Sequence, residues 1–494
     1  MIKQGINRLS RAMRDPAFPA NSGIPLWRKA GKIQNVSLRH LGFISLSLLA
    51  FLISAIARIN LAVPLFLTSL YAYIKFRRLN LKDYKLPNIT LLFLISFSAS
   101  LFIIRKGLPI YYLPFSVIPM LTTMLFSNLE LSLLVVLAIS VSAAAISANF
   151  PQVLLLSLIS GILSSILVQG GRKRTTVIRA GFILGILEGV GLIFIEHFII
   201  RGPSRYIILM LNGVLSSIIV LGVLPVFEYL FKTVTNISLL ELADFHHPLL
   251  QRMILEAPGT YHHSLVVGNL SETACEAVGA NALLARIGSY YHDIGKIAKP
   301  GYFSENQGAE MSKHDTLAPT MSKLVIMNHV KEGLELAKKY RLHPPIIDFI
   351  LKHHGNSLVY YFYRRAMEGL EEDQEIKEEG FRYPGPRPNT KETAVVLLAD
   401  SVEAATRALK DPTPSKIEEL VHKVINNKFI DGQLDECDLT LKDLEKISAV
   451  FIRILSGIYR SRVTYPEELK SGNSHKKFSK ENSHQSEKDK KSNS

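Results

Sequence analysis

The sequence predicts an all-α protein, built as a polytopic transmembrane helix bundle followed by an all-helical soluble domain. Three observations carry this. Residues 41–231 are dominated by long apolar runs, whereas the remainder reads as a soluble protein. From about residue 240 to 465 the apolar spacing is helical and breaks at Pro, Gly and Asn, as in His263–Val278, Asn281–Ile294, Ala318–Tyr340 and Thr390–Leu409. Strand-type alternation is scarce. At 494 residues the chain exceeds one ordinary domain. Four regions are expected: a basic segment 1–40, a membrane bundle 41–231, a soluble domain 235–465 and a polar tail 466–494.

The apolar runs are Leu41–Ala57, Leu61–Phe76, Leu86–Ile104, Leu108–Phe126, Leu129–Phe150, Gln152–Gly170, Thr175–Ile200 and Tyr206–Phe231. Several reach the ~20 residues that a helix needs to cross a bilayer. In lipid the backbone must satisfy its own hydrogen bonds, so helices are the expected form and about eight spans the expected number. The first two runs are joined only by Arg58-Ile59-Asn60 and read as a tight hairpin. Lys75, Arg77, Arg78, Lys82 and Lys85 follow the second run, and Arg172, Lys173 and Arg174 follow the sixth. The alternate loops carry few basic residues. The positive-inside rule then places both termini and the soluble domain in the cytoplasm of a multi-pass cell-membrane protein. Glu188 falls inside the seventh run, where a carboxylate is either a ligand site or a protonated group bonded across the bundle.

The formal charge of +15 is concentrated at the N-terminus, in two loops and in the tail. Basic flanks beside membrane spans account for it better than a nucleic-acid polymer does. Cys275 and Cys437 are the two cysteines, which offers no disulfide framework and fits a reducing compartment. Residues 466–494 are nearly devoid of apolar side chains and are expected to be disordered.

The chemistry concentrates in five His/Asp clusters of the soluble domain: Tyr261-His-His-Ser264, Tyr290-Tyr-His-Asp-Ile-Gly-Lys296, Asn328-His-Val330, Lys352-His-His-Gly355 and Leu398-Ala-Asp400. One histidine alone is usually a surface or core residue. Five clusters in one segment point instead to metal-activated water attacking phosphorus. His263 shares a helix face with Val266, Val267, Leu270 and Ala274 and is preferred over His262 as a ligand. His292 and Asp293 end an apolar helix, with Gly295 read as room for substrate and Lys296 as a charge for phosphate. His329 and Asp400 lie in apolar helices, where an unpaired imidazole or carboxylate is costly. His353 and His354 sit at a helix end, where irregular geometry lets both imidazoles converge. Seven ligands (His263, His292, Asp293, His329, His353, His354 and Asp400) exceed one six-fold shell and suit two divalent cations sharing Asp293. Imidazole donors favour iron, manganese or zinc over magnesium. Asp293 and Lys296 are the expected catalytic pair.

These motifs resemble the HD-domain phosphohydrolases. Residues from about 235 to 410 are more closely similar to the seven-transmembrane HD hydrolases, the PgpH type of bacterial cyclic di-AMP phosphodiesterase. The likeness extends through Ala257-Pro-Gly-Thr260, Leu283-Leu-Ala-Arg286, Tyr302-Phe303, Glu305-Asn-Gln307, Tyr361-Phe-Tyr363, Phe381-Arg-Tyr-Pro-Gly-Pro386, Lys391-Glu392 and Leu398-Ala-Asp-Ser-Val-Glu-Ala404. In the membrane half it includes Arg179-Ala-Gly181 and Leu221-Gly-Val-Leu-Pro225. The resemblance implies one metal on His263, His292, Asp293 and Asp400, and another on Asp293, His329, His353 and His354. It implies iron or manganese, and hydrolysis of cyclic di-AMP to pApA.

Two departures stand out. Family members commonly carry a large extracytoplasmic domain between their first two spans, and Arg58-Ile-Asn60 leaves no space for one. Asn356 stands where threonine is usual, a change expected to touch substrate fit. The partners expected are a cyclic dinucleotide and the lipid bilayer, with a homo-oligomer left open. Turnover of another nucleotide, or a membrane receptor that binds nucleotide without turnover, are the alternatives.

Overall fold

The computed structural model describes residues 85–109, 112–196, 202–307, 312–369 and 376–459. The runs at 41–57 and 61–76, the Arg58–Asn60 connection, the basic segment 1–40 and the tail 466–494 lie outside the described residues. Within the described residues the protein is all-α, and its one β-type contact is an isolated bridge between Leu358 and Arg382.

Among the described residues the apolar half has six helices: α1 Lys85–Arg105, α2 Val117–Phe126, α3 Leu129–Ile146, α4 Phe150–Val168, α5 Arg174–Ile195 and α6 Pro203–Phe231. All but α2 are long and apolar enough to cross a membrane. The apolar run 108–126 does not form one span. A turn occupies its first part, and the ten residues of α2 reach only about 15 Å at 1.5 Å per residue. Every residue of α2 is buried, so it plugs the bundle rather than facing lipid.

The helices α5 and α6 approach closely because small residues line their seam. A Cβ on Gly185 would fall 2.2 Å from the Met210 carbonyl oxygen, and one on Gly213 would fall 2.4 Å from the Gly185 nitrogen. Outward-facing side chains such as Phe182, Ile186, Leu211, Leu215 and Ile218 are exposed apolar groups, as a lipid-facing surface requires. Glu188 is buried and accepts a hydrogen bond from Ser160 Oγ at 2.5 Å, bonding α5 to α4.

At 29 residues, α6 is about 43 Å long and outruns the ~30 Å apolar core of a bilayer. Its last turn connects directly to α7, Asn236–Leu242. Buried Glu228 near the end of α6 accepts hydrogen bonds from Thr235 N (2.7 Å) and Ser238 Oγ (2.9 Å), which satisfies the start of α7. Arg174, the first residue of α5, donates to Glu241 of α7 at 2.7 and 3.0 Å. Leu239 and Leu242 in turn enter the core of the soluble domain, and Tyr291 Oη donates to the Leu242 carbonyl. A seven-residue helix thus joins the two halves without a flexible linker.

The soluble domain comprises α8 Pro248–Glu256, α9 Pro258–Ala277, α10 Ala282–Tyr291, α11 Pro319–Lys339, α12 Pro344–Lys352, α13 Tyr360–Glu368, α14 Lys391–Arg407, α15 Pro414–Ile430 and α16 Leu441–Ile458. Four of these helices begin with Ser/Thr/Asn-type caps: Asn281, Thr390, Thr413 and Thr440 each accept a hydrogen bond from the first turn. The centre is α14. Its residues Thr393–Asp400 are all buried, packed with Val267, Leu270 and Ala274 of α9 and with Ile417, Val421 and Phe451. Burial on every face explains why this helix reads in sequence as a continuous apolar run.

Candidate metal centre

Five elements deliver the predicted side chains to one point. His263 projects from α9 on the same buried face as Val267, Leu270 and Ala274. His292 ends α10 and Asp293 opens a short 3-10 turn, Ile294–Ala298. His329 comes from the middle of α11, His353 and His354 from the end of α12, and Asp400 from α14. The seven fall into two groups of four, His263, His292, Asp293 and Asp400, and Asp293, His329, His353 and His354, with donor atoms within 4.8 Å of one another in each. Asp293 belongs to both. Its Oδ2 lies 3.2 Å from His292 Nε2 and 3.6 Å from His263 Nε2, while its Oδ1 lies 3.4 Å from His329 Nε2 and 3.5 Å from His353 Nε2. His262 is exposed and outside both groups.

The tautomers are set from behind. Nδ1 of His292 donates to the Ser289 carbonyl (2.6 Å), that of His329 to Ile326 O (2.5 Å), and that of His353 to Phe349 O and Ile350 O (3.0 Å each). In their neutral form these rings present an Nε2 lone pair to the centre. His263 is oriented in the same way by the buried carboxylate of Glu403, whose Oε2 lies 2.5 Å from its Nδ1.

Electrostatics make the assembled centre costly by itself. Burial alone disfavours the His292 imidazolium, yet Asp293 and then Asp400 outweigh it and lift this histidine to about 10. Burial pushes His329 down to about 4 and His354 well below the usual range. Burial also opposes ionisation of Asp293, but His292 and Lys296 hold it well below the usual carboxylate range. An ion pair to Lys296 aside, both Asp293 oxygens and His292 Nε2 are buried without a hydrogen-bond partner. Buried polar atoms of this kind need a partner. Five imidazoles facing two carboxylates, one of them shared, are the donor set that divalent first-row cations take.

The structure revises one reading. Gly295 does not open space for substrate: a Cβ there would fall 1.8 Å from the His329 carbonyl oxygen and 2.5 Å from Gly333 N, so this glycine lets the turn lie against α11. Asn356 is tied to the loop that follows α15 and to Arg387. It is a clamp, its backbone N–H donating to Gln433 Oε1 and its Oδ1 accepting from Gln433 Nε2 and Arg387 Nε. Lys296 is held between two carboxylates, 2.6 Å from Asp293 Oδ2 and 2.7 Å from Glu305 Oε1.

Sequence reasoning assigned no role to Glu403, Glu305 or Tyr383. Glu403 lies three residues beyond Asp400 on the same helix, and that spacing is the signal that could have found it. Tyr383, whose ring centroid is 4.3 Å from that of His354, comes from a loop with no such periodicity.

A helical membrane bundle carrying a soluble domain with a shared His/Asp centre defines a class of membrane-bound hydrolases. Residues 40–235 match the family described as 7TM receptor with intracellular HD hydrolase, and residues 260–405 match the HD domain. The chain belongs to this family of seven-transmembrane HD hydrolases. It is 42% identical over 319 residues to the cyclic-di-AMP phosphodiesterase PgpH of Bacillus subtilis and 40% identical over 317 residues to that of Listeria monocytogenes. Both alignments take in 63% of this chain and 44% of the relative, so the chain spans less than half the length of these relatives. The crystal structure of the L. monocytogenes PgpH HD domain is 46% identical, with 44% of this chain and all of that one covered and a TM-score of 0.42.

Proposed function

We propose that this protein is a membrane-anchored, metal-dependent phosphodiesterase that hydrolyses cyclic di-AMP to pApA at the His/Asp centre. The observation that carries the reading is the pair of four-residue donor groups meeting at Asp293. The names of the B. subtilis and L. monocytogenes relatives, each more than a third identical, supply the substrate.

Two divalent cations, iron or manganese, would supply an activated water and charge neutralisation at the phosphoryl group. His263, His292, Asp293 and Asp400 would hold one, and Asp293, His329, His353 and His354 the other. The protein's own groups do the positioning. Glu403 fixes the His263 ring, and Lys296 braces Asp293 from the side of Glu305. His354 is the open edge, its side chain 22% exposed where the other histidines are buried, so substrate enters past it. Water adds to phosphorus and one ester oxygen leaves, which opens the ring.

The catalytic domain is assigned to the cytoplasm, whereas the expectation that both termini lie there needed eight spans and loses its footing once the run 108–126 is not one of them. The basic residues Arg172, Lys173 and Arg174 lie at the α4–α5 turn, and Arg174 touches α7, so the basic loop and the soluble domain share one end of the bundle. The test is incubation of the full chain in detergent with manganese or iron and cyclic di-AMP, followed by chromatography. Release of pApA is expected. An intact cyclic dinucleotide in the presence of demonstrably bound metal would sink the proposal.

A further inference from the structure

Among the described residues, four of five cations on the loops and helices around the centre have carboxylate partners. Lys296 sits between Asp293 and Glu305, Arg382 between Glu378 and Asp431, Arg387 beside Asp435, and Arg407 within 4.0 Å of Glu305 and Glu403. The fifth is Lys428, near the end of α15. Among the described residues no carboxylate lies within 4 Å of its ammonium. Its one hydrogen bond is to a neutral acceptor, Ser357 Oγ, at 2.8 Å.

Lys428 is also placed to meet a ligand. Ser357 lies three residues beyond His354 at the end of the same turn, its N–H donating to the His354 carbonyl and its own carbonyl accepting from Tyr383 N. The Tyr383 ring packs on the His354 ring. Lys428, Ser357, Tyr383 and His354 thus form one wall at the open edge of the centre. The two acidic groups whose charge reaches Lys428 are both committed. Asp400 Oδ1 lies 3.0 Å from His263 Nε2, and Asp431 accepts from Arg382 and Gln433. Burial disfavours the ammonium and holds its pKa below the ordinary lysine value. A half-buried ammonium with donors to spare and no carboxylate partner among the described residues is the arrangement an incoming anion completes.

A cyclic dinucleotide carries two phosphodiesters, and only one can occupy the metal centre at a time. We propose that Lys428 binds the second, unreacting phosphate, so that its ammonium selects two-phosphate dinucleotides over simple phosphodiesters. This rests on the phosphodiesterase reading of the same site.

The test compares the full-length wild type, Lys428→Gln, Lys428→Arg and Ser357→Ala on cyclic di-AMP and on bis(p-nitrophenyl) phosphate, which has one phosphate. With Lys428→Gln, KM for cyclic di-AMP should rise about tenfold or more, as the loss of one charge-assisted contact implies. In the same variant kcat and metal content should stay near wild type, and the preference for cyclic di-AMP over the single-phosphate ester should fall in step with KM. Lys428→Arg should recover most of the preference, and Ser357→Ala, which keeps the ammonium, should retain it. A proportional loss on both substrates, a fall in metal content, or an unchanged KM would overturn the assignment and leave Lys428 as a strut for the histidine loop. If the wild type ignores cyclic di-AMP but opens another cyclic dinucleotide, only the substrate reading fails and Lys428 is judged on that compound. If it cleaves single-phosphate esters alone, both fail.

Discussion

The Nε2 atoms of His329 and His353 lie 3.1 Å apart, while Nδ1 of each ring is turned to a main-chain carbonyl. With both Nδ1 positions acting as donors, two lone pairs face one another in a buried site. Burial keeps His329 neutral at ordinary pH, which removes the simplest relief, a proton on that ring. A cation between the rings resolves the conflict. Metal should therefore stabilise the folded protein by mass action, by about 4 kcal/mol when free metal exceeds its Kd a thousandfold. Thermal unfolding with manganese and after chelation measures this, and an identical Tm in both would count against a cation at this position.

Asp293 is the only side chain common to both donor groups. Its replacement by alanine should empty both groups of metal and abolish hydrolysis. Asp400→Ala should disturb only the group containing His263 and His292. Elemental analysis of the purified variants separates the cases, and equal metal content in the two variants would contradict the shared-aspartate arrangement.

Glu403 holds His263 from behind, 3% exposed and with no other histidine partner. Outer partners of metal-bound histidines typically contribute about 10–100-fold in metal affinity. Glu403→Gln should weaken manganese binding by about that factor at the group containing His263 and leave the group containing His329 unaffected. Titration followed by electron paramagnetic resonance reads both. Wild-type affinity at both groups would reduce Glu403 to a packing residue.

The legibility of this site in sequence has a physical basis. Each candidate ligand lies on or at the end of an apolar helix, and on α9 the periodic face is clear enough that His263 could be assigned to the buried side from Val267, Leu270 and Ala274 alone. The two His/Asp groupings followed from the family resemblance, since local spacing cannot say which remote residues meet. Gly295 was misread because a glycine beside a catalytic aspartate looks like room for substrate. Only the tertiary approach of α11 shows that the room is filled by backbone. The run at 108–126 was misjudged as one span because composition reports apolarity, whereas the turn before α2 is set by packing.

Metal uptake should release protons, and the sign follows from His292. In the metal-free protein burial lowers this group, but Asp293 and Asp400 raise it to about 10, so it carries a proton at neutral pH. The stabilising contact of the protonated ring is fully present below the ordinary histidine value and is lost as pH rises through about 10. A cation must displace that proton, so affinity should increase with pH up to the same point. Calorimetry at pH 8 in buffers of different ionisation enthalpy should show about one proton or more released per protein. No buffer dependence would show that His292 is already neutral.

Gly295→Ala tests whether the approach of the turn to α11 builds the second donor group. The added methyl would meet the His329 carbonyl oxygen at 1.8 Å and Gly333 N at 2.5 Å, both backbone atoms that no rotamer change can move aside. Relief requires α11 to shift, and α11 carries His329. Overpacking of this kind typically costs about 1–3 kcal/mol, and here it should also loosen metal at the group containing His329 before that containing His263. Thermal unfolding and metal titration together decide the matter. A variant with wild-type Tm and affinity would show that the contact between turn and helix is dispensable.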